Sequence, residues 1–437
     1  MKSPRKPALA LAGFALLLAP LAACSNGQPE TQPTQSGEPA GEVEWVYPGT
    51  SDVERQFAEG FIQEFELEYP ETQVTVNYLS WNDMQKTLAV RLQANDAPDV
   101  TITQDITSLV GMDGLADLTA VAGELDPDDF LPGTLEYSSI DGGLYSIPYQ
   151  ATGFTLIVNE ELLADAGYEV EDLQSWEDIE AAAKAMTKGD VSGFAYPLGN
   201  PRFVFRGALT AAYSNDLVLN DVAPEAQAKW TDLLEHLKTL NEYSPAAAST
   251  WDYPDMWRAY ANGKVGMVAG GTYFTANVYS INPDIIDVSR QISYPAGPES
   301  DVPMTPVSSV GYAMFKDSES QNASLALIES LTSPQNVLKQ AAAVNLPARL
   351  SVDRDALYEE AEKVYPDAID GHIRVTEDGF AAVETNGVPL AKIPGQPDME
   401  PAFQDIMVRY LSGGITTDQA LDEITTAFGA INEDYGN

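Results

Sequence analysis

The chain has 437 residues, of which 44% are hydrophobic, and its formal net charge at pH 7 is −43. About 395 residues follow a polar N-terminal segment, which is too many for one ordinary hydrophobic core and favours two lobes. A surface this acidic repels nucleic acid and anionic lipid head groups, so we expect no nucleic-acid partner and a soluble monomer.

Residues 1–23 have the three parts of a secretory signal peptide. Three basic residues stand among the first six, residues 8–19 are almost continuously apolar, and residues 21–24 read LAAC. An apolar helix of that length would span about 18 Å, well short of the ~30 Å hydrocarbon core of a bilayer, so no transmembrane helix is predicted. The LAAC sequence resembles the lipobox of bacterial lipoproteins, in which the cysteine is lipidated.

Cys24 is the only cysteine in the chain. Because exported proteins usually pair their cysteines or omit them, we expect Cys24 to be a lipidation site rather than a leftover thiol in an ordinary signal peptide. Residues 24–42 form a polar segment rich in Pro, Gly, Ser and Gln, which predicts a flexible tether. The expected location is the extracytoplasmic face of the cell membrane, with the lipid as the only membrane contact.

The folded part begins with strands that alternate with helices. Residues 51–54 read SDVE, a capping box, and phenylalanines then recur at every fourth position, which predicts a helix. A second helix follows at residues 84–92. Strand-like segments lie at residues 43–47, 74–76 and 99–103. This β-α-β-α-β order predicts a parallel sheet with right-handed crossovers.

The same mixture of elements continues to the end of the chain. Further strands are predicted at residues 144–148, 155–158 and 265–269. Helices are predicted at residues 175–186, 225–240, before 262–263, and near 323–331, 334–342, 353–365, 401–411 and 417–431.

Motifs for catalysis, cofactors or metals are absent from the sequence. It has no nucleophile elbow, no phosphate-binding loop and no HExxH motif. We expect His236 on a helix surface and His372 in a loop, too far apart in sequence for a convincing zinc site. We therefore expect no enzyme activity, no cofactor and no metal. A hydrolase with two paired carboxylates stays open as an alternative, because 66 acidic residues could hide such a pair.

Aromatic and small polar residues follow the predicted strands, where open parallel sheets bind ligands. Sugar rings suit such residues, since aromatic rings cover their C–H faces while amides, carboxylates and arginine bind their hydroxyl edges. The candidates from these loops are Tyr47, Trp81, Gln104, Asp105, Gly271 and Tyr273. Trp251 and Ser309 are added, with packing within the lobe as the alternative for Trp251 and an ordinary turn as the alternative for Ser309. The alternative is loop packing for Trp81, and a plain helix-cap role for Gln104 and Asp105.

Six short segments, in order, resemble the bacterial extracellular solute-binding proteins of family 1, the maltose-binding-protein-like sugar-binding lipoproteins of ABC importers. The resemblance covers about residues 43–431. The segments are APDV at 97–100, DGGLYSIP at 141–148, LIVN at 156–159 with AG at 166–167, WEDI at 176–179, NGKVGM at 262–267 and NLPA at 345–348.

The resemblance implies an α/β, two-lobed periplasmic-binding-protein fold of the type II kind. Each lobe would have a central, mostly parallel sheet flanked by helices, and a hinge of several strands would join the lobes. Lobe one would comprise residues 43–148 plus 302–348, and lobe two residues 149–301 plus 349–437. A mono- or oligosaccharide would bind between the lobes and be delivered to the transmembrane permease subunits.

The resemblance also adds site residues. Asn200 and Arg202 match a sugar-contacting loop, Tyr273 stands where the family has a stacking tryptophan, and the hinge segment supplies Tyr149, Gln150 and Thr152. Departures from the family pattern at the 200–203 loop argue against a maltodextrin as the specific ligand. A polyamine, an amino-acid derivative or an iron chelate remains an alternative ligand for the same fold.

Overall fold

The computed structural model describes residues 37–49, 52–122 and 125–435. The predicted signal peptide, Cys24, most of the predicted tether and Ser51 of the predicted capping box lie outside these residues. The strands are β1 Gly41–Tyr47, β2 Thr72–Tyr78, β3 Val100–Thr103, β4 Ser139–Ile140, β5 Gly143–Leu144, β6 Ile147–Asn159, β7 Ser192–Ala195, β8 Val265–Gly271, β9 Ser289–Ile292, β10 Thr305–Met314, β11 Leu346–Pro347 and β12 Gly387–Pro389.

The helices pack on both sides of these strands, with short 3₁₀ turns between some of them. They are α1 Asp52–Glu68, α2 Trp81–Gln93, α3 Thr107–Gly111, α4 Thr119–Ala122, α5 Thr134–Tyr137, α6 Glu160–Asp165, α7 Trp176–Met186, α8 Pro201–Tyr213, α9 Gln227–Asn241, α10 Tyr253–Ala261, α11 Phe274–Val278, α12 Gln321–Leu331, α13 Pro334–Val344, α14 Arg354–Val364, α15 Ile369–Asn386, α16 Gln396–Leu411 and α17 Thr417–Tyr435. In the part of the chain described, none of these helices is long and apolar enough to cross a membrane.

The N-terminal β-α-β-α-β unit forms the parallel sheet that its sequence predicts. Strand β1 pairs in parallel with β2, Gly41 opposite Thr72, and with β3, Trp45 opposite Val100. The crossover helix α2 starts where Ser80 accepts a hydrogen bond from the Asp83 backbone at 3.2 Å. The order β2-β1-β3 places the carboxyl ends of all three strands at one edge, and the loops after them therefore share that edge.

Two long strands connect this sheet to a second one. All 13 residues of β6 are buried; its first half pairs antiparallel with β10, and its second half pairs antiparallel with β8 and β9. A strand of that length spans about 43 Å, so a single strand belongs to both sheets. The expected hinge of several strands corresponds to β6 and β10, and their crossing adds antiparallel pairs to sheets that are otherwise parallel.

Buried apolar residues form separate cores on the two sheets. The first core includes Trp45, Phe65 and Val100, and the second includes Trp176, Trp230 and Phe403. A third cluster around Trp257 and Val268 lies on the same sheet as the second. Helix α14 packs on the first core, through Leu357 and Ala361, although residues 349–437 are assigned to lobe two from the sequence.

Two expectations about histidines are wrong. His236 is buried, 3% exposed, with its ring nitrogens 2.6 Å from Glu180 Oε1 and 2.9 Å from the Tyr294 hydroxyl. It faces the core because the apolar residues on either side of it on α9 line the second core. His372 lies within α15 and not in a loop.

The sequence does not predict α15 because Gly371 and Gly379 lower its helix propensity. Both glycines are required by close packing. A Cβ on Gly371 would lie 2.9 Å from the Asp287 backbone nitrogen, and one on Gly379 would lie too close to the Gln291 amide. The helix is therefore stabilised by tertiary contacts that the local sequence does not reveal.

We predict that His372 makes the protein less stable in mild acid. Burial lowers the pKa of His372 to about 4, and its Nδ1 has no hydrogen-bond partner among the described residues. Because the pKa in the unfolded chain is about 6.5, the unfolded chain takes up the proton first as the pH falls below that value. The free energy of unfolding therefore falls by up to about 2 kcal/mol at pH 5.

Urea unfolding of wild type and His372→Phe at pH 7.5 and pH 5 measures this effect. The variant should lose less unfolding free energy between the two pH values, since the carboxylates titrate equally in both proteins. An identical loss in the two proteins would contradict the assignment.

Candidate functional site

A cleft of about 640 Å³ lies at the edge where the parallel strands end. Its walls come from α2, the loop after β3 and α5 on one side, and from α8 and residues 390–401 on the other. Phe154 of β6 and Ser308 of β10 also line it. Five predicted site residues meet here: Trp81, Gln104, Asp105, Asn200 and Arg202.

A hydrogen-bonded bridge crosses this cleft. Gln104 follows β3, and its Oε1 accepts hydrogen bonds from Arg202 Nη2 at 2.9 Å and from Arg206 Nη2 at 3.4 Å. The two arginines are one turn apart on α8. The Asn200 side chain caps this helix by accepting from the Arg202 backbone N–H at 3.1 Å. This bridge therefore depends on a single neutral oxygen.

The two guanidinium groups are close enough to repel one another. Arg206 and burial lower the pKa of Arg202 to about 10. Among the described residues, neither guanidinium has a carboxylate within 4 Å. Arg206 also lies 5.7 Å from the centroid of the Phe154 ring, so a cation and an aromatic face adjoin in the cleft.

A third cation faces the cleft from the C-terminal segment. The Lys392 ammonium donates to the Glu136 carbonyl at 2.9 Å and to the Ser139 carbonyl, and it lies 5.9 Å from the Tyr137 ring centroid. Burial lowers the pKa of Lys392. Burial, reinforced by the Asp105 carboxylate, raises the pKa of the Tyr137 hydroxyl, which therefore stays protonated and able to donate a hydrogen bond.

The acidic residues of the cleft already have hydrogen-bond donors. Asp105 Oδ1 accepts from the Thr107 backbone at 2.8 Å, and Glu400 Oε1 accepts from Gln396 Nε2 at 2.8 Å. Within the described part of the chain, no cluster of three or more His, Cys, Asp or Glu residues could hold a metal ion.

An aromatic chamber of about 20 Å³ adjoins the cleft. Phe154 and Arg206 line both spaces, and Phe203 stacks on Tyr253 with ring centroids 3.9 Å apart and planes 5° apart. Tyr273 lies in this chamber and not in the main cleft. The chamber has room for about one water molecule, and its aromatic rings pack on one another beside the Arg206 guanidinium.

Three further predicted residues line a separate cavity of about 50 Å³ near the hinge: Tyr47, Tyr149 and Gln150. Trp81 contributes to this cavity as well as to the main cleft. Gln150 Nε2 donates to the Gln340 carbonyl at 3.3 Å, and the Tyr149 ring packs 4.9 Å from the Tyr312 ring. Through these contacts, Tyr149 and Gln150 pack β6 against β10 and α13.

The other four predicted residues line none of these spaces. Thr152 accepts a hydrogen bond from Asn345 Nδ2 at 2.7 Å, and the Ser309 hydroxyl lies 2.8 Å from that of Ser138. Trp251 packs on the cluster around Trp257, and Gly271 ends β8 opposite Phe154. Their assignment to the ligand site stays a prediction.

Sequence reasoning missed Tyr137, Phe154, Arg206, Lys392 and Glu400. Arg206 carries a usable signal, because it is four residues after Arg202 and a helix places both on one face. Lys392 and Glu400 carry no local signal, since they follow β12 and reach the cleft only through the fold of the C-terminal segment.

The family model described as "Bacterial extracellular solute-binding protein" matches residues 60–366. This match spans most of the chain and includes the cleft-lining helices α2, α5 and α8, but it ends before residues 390–401. The chain belongs to the bacterial extracellular solute-binding proteins. The expected family is thereby confirmed.

A curated relative is the arabinooligosaccharide-binding protein of Bacillus subtilis (strain 168), with 26% identity over 161 residues. The match covers 35% of this chain and only 37% of that relative. It therefore spans little more than a third of either protein.

Solved structures confirm the two-lobed α/β fold. The GacH receptor of Streptomyces glaucescens GLA.O matches with a TM-score of 0.71 and 21% identity, over 91% of this chain and 99% of that chain. The sugar-binding protein MalE of Xanthomonas citri matches with a TM-score of 0.74 and 20% identity, over 90% and 98%.

Gln104→Glu is expected to stabilise the ligand-free protein. The substitution gives the two guanidinium groups a carboxylate in place of a neutral oxygen, and charge-assisted hydrogen bonds are roughly twice as strong as neutral ones. We predict a gain of about 1 kcal/mol in unfolding free energy, measured by urea denaturation. Gln73→Glu adds the same charge on the exposed face of β2 and should change stability by less than about 0.5 kcal/mol. A loss of stability in Gln104→Glu would contradict the described geometry.

Proposed function

We propose that the protein is the carbohydrate-binding component of an ABC importer, that it binds a mono- or oligosaccharide in the cleft, and that it is not an enzyme. The observation that carries the proposal is the composition of the cleft and the adjoining chamber. Aromatic faces from Trp81, Phe154 and Tyr273 lie next to the amide and guanidinium groups of Gln104 and Arg206. Sugar rings need both kinds of contact.

Several relatives support this choice of ligand class. The Bacillus subtilis relative is named for arabinooligosaccharides, and the GacH structures include a complex with acarbose. This chain differs from both in most of its residues, so the identity of its sugar has to come from its own cleft.

The proposed mode of action is closure of two lobes around the sugar. The crossing strands β6 and β10 are the links about which the lobes would rotate, and the bridge from Gln104 to Arg202 already joins the two sides. We propose that lobe one also includes α14, because Leu357 and Ala361 pack on the first core. Closure would present one defined surface to the permease.

The proposed location is the extracytoplasmic face of the membrane, with a lipid on Cys24. A tether of about 17 residues, ending where β1 begins at Gly41, would keep the binding lobes near the permease and raise their effective concentration there. The protein would act as a monomer, since only one cleft is needed to deliver one ligand.

A polyamine ligand is disfavoured by the charges of the cleft. Arg202, Arg206 and Lys392 would repel an ammonium group, whereas the hydroxyl groups of a sugar can accept hydrogen bonds from all three. The whole chain is strongly negative, but the residues that line the cleft carry more positive than negative charges.

Thermal unfolding with added sugars tests the proposal. A ligand at 100 times its dissociation constant adds ~2.7 kcal/mol of stability, which raises the melting temperature measurably. We predict such shifts with at least one mono- or oligosaccharide and none with polyamines. Shifts with polyamines alone would contradict the proposal, and release of reducing ends from the sugar would show an enzyme.

Trp81→Ala should weaken sugar binding about five- to tenfold, since stacking on an aromatic face contributes about 1 kcal/mol or more. Tyr69→Ala is the matched control, because Tyr69 is also a partly buried aromatic residue packed on the first core but does not line the cleft. Its affinity for the sugar should stay within about twofold of wild type, whatever it loses in stability. Equal losses of affinity in the two variants, measured by calorimetry, would remove Trp81 from the site.

A further inference from the structure

Most basic residues described in this acidic chain form ion pairs, but those that line the cleft do not. The described residues contain 20 Lys and Arg, and twelve of them lie within 4 Å of a carboxylate. Four of the remaining eight line the cleft: Lys86, Arg202, Arg206 and Lys392. Where acidic residues outnumber basic ones almost threefold, four cations in one concave space without ion-pair partners need an explanation.

The cleft lining has only two carboxylates to set against these four cations, Asp105 and Glu400, and neither forms an ion pair with them. Arg202 and Arg206 share the neutral oxygen of Gln104, and the carboxylates of Asp105 and Glu400 accept hydrogen bonds from groups other than these guanidiniums. Two half-buried guanidinium groups side by side destabilise one another. Because a planar guanidinium can bind an oxyanion through two parallel hydrogen bonds, the arrangement is suited to an anion from outside.

The surroundings of the pair match an acidic sugar better than a small inorganic anion. The Phe154 ring lies 5.7 Å from the Arg206 guanidinium, and the Tyr137 ring lies 5.9 Å from the Lys392 ammonium. A sugar acid has an apolar C–H face and an oxyanion on the same ring, so it can contact an aromatic ring and a neighbouring cation together. Phosphate or sulfate alone would leave the aromatic surfaces unused.

We propose that the ligand is an acidic carbohydrate whose oxyanion binds between Arg202, Arg206 and Lys392. This inference rests on the proposed carbohydrate function and narrows it to sugars that carry a carboxylate or a sulfate. The ring bearing the charge lies against Phe154, and neutral parts of an oligosaccharide extend towards Trp81. The bond to Gln104 is exchanged for bonds to the ligand as it enters.

Calorimetric titration with paired ligands tests the inference. One panel holds glucuronic acid, galacturonic acid, their short oligosaccharides and sulfated sugars, and the second holds the neutral counterparts. Citrate, inorganic phosphate and inorganic sulfate form a third panel. We expect at least one acidic sugar to bind more than tenfold more tightly than its neutral counterpart, and more tightly than any member of the third panel.

The outcomes separate the two proposals. Neutral sugars that bind as tightly as acidic ones overturn this inference and leave the carbohydrate function standing. Binding of citrate or inorganic anions without any sugar overturns both, as does binding of nothing in the three panels. A preference for carboxylated over sulfated sugars, or the reverse, identifies the source of the oxyanion.

Substitutions of Arg206 test where the oxyanion of the sugar binds. Arg206→Gln should reduce the ratio of acidic to neutral affinity by at least tenfold, and Arg206→Lys should restore part of it. Arg258→Gln removes the same charge from an exposed helix, where Arg258 pairs with Asp255, and should leave the ratio unchanged. An unchanged ratio in a folded Arg206→Gln protein, checked by its melting temperature, overturns the placement.

Gln104→Glu gives an independent reading, because it places a carboxylate where the oxyanion is proposed to bind. It should lower the affinity for acidic sugars at least tenfold while raising the melting temperature of the ligand-free protein. If acidic sugars bind this variant as tightly as wild type, the guanidinium pair is not their site.

Discussion

A single buried strand, β6, is shared by two sheets, and the position of the ligand site depends on it. The first half of β6 pairs with β10 beside the parallel sheet β2-β1-β3, and its second half pairs with β8 and β9. Each half is packed against a different hydrophobic core. The loops that follow the parallel strands therefore face α8 and the C-terminal segment across a gap. That gap is the cleft, with Phe154 of β6 among its lining residues.

The charge of the cleft contrasts with that of the chain. The chain has a net charge of −43, yet Arg202, Arg206 and Lys392 meet in one concave space. The two guanidinium groups repel one another in the free protein, since Arg206 lowers the pKa of Arg202, and burial lowers the pKa of Lys392. An anionic ligand would relieve this repulsion, and part of the binding free energy would come from that relief.

The sequence predicts the fold better than the site because the two depend on different information. The period of buried residues in β1, α1 and α2, and the capping box at α7, are local patterns, and the family segments fix their order. Helix α15 was missed because its two glycines are explained only by contacts with Asp287 and Gln291. His236 is buried because the apolar residues beside it on α9 line the second core.

Among the residues that line the cleft, Gln104, Asp105 and Arg202 could be singled out from the sequence because they stand next to a strand end or in a recognisable loop. Lys392 and Tyr137 could not, because they come from segments that have no pattern of their own and meet only through the tertiary fold. Tyr47 and Tyr149 follow or form strands as expected, but the rings fill a separate cavity near the hinge. A position at a strand end is thus a guide to the region of the site, and the side-chain packing decides which residues line it.

The most direct test of the account is a crystal structure of the protein with its tightest-binding carbohydrate. The account predicts the sugar in the cleft, in contact with both walls, with its oxyanion about 3 Å from the guanidinium nitrogens of Arg206 and a ring face against Phe154. A sugar bound outside this cleft, or bound within it while both guanidinium groups still donate to Gln104, would contradict the account.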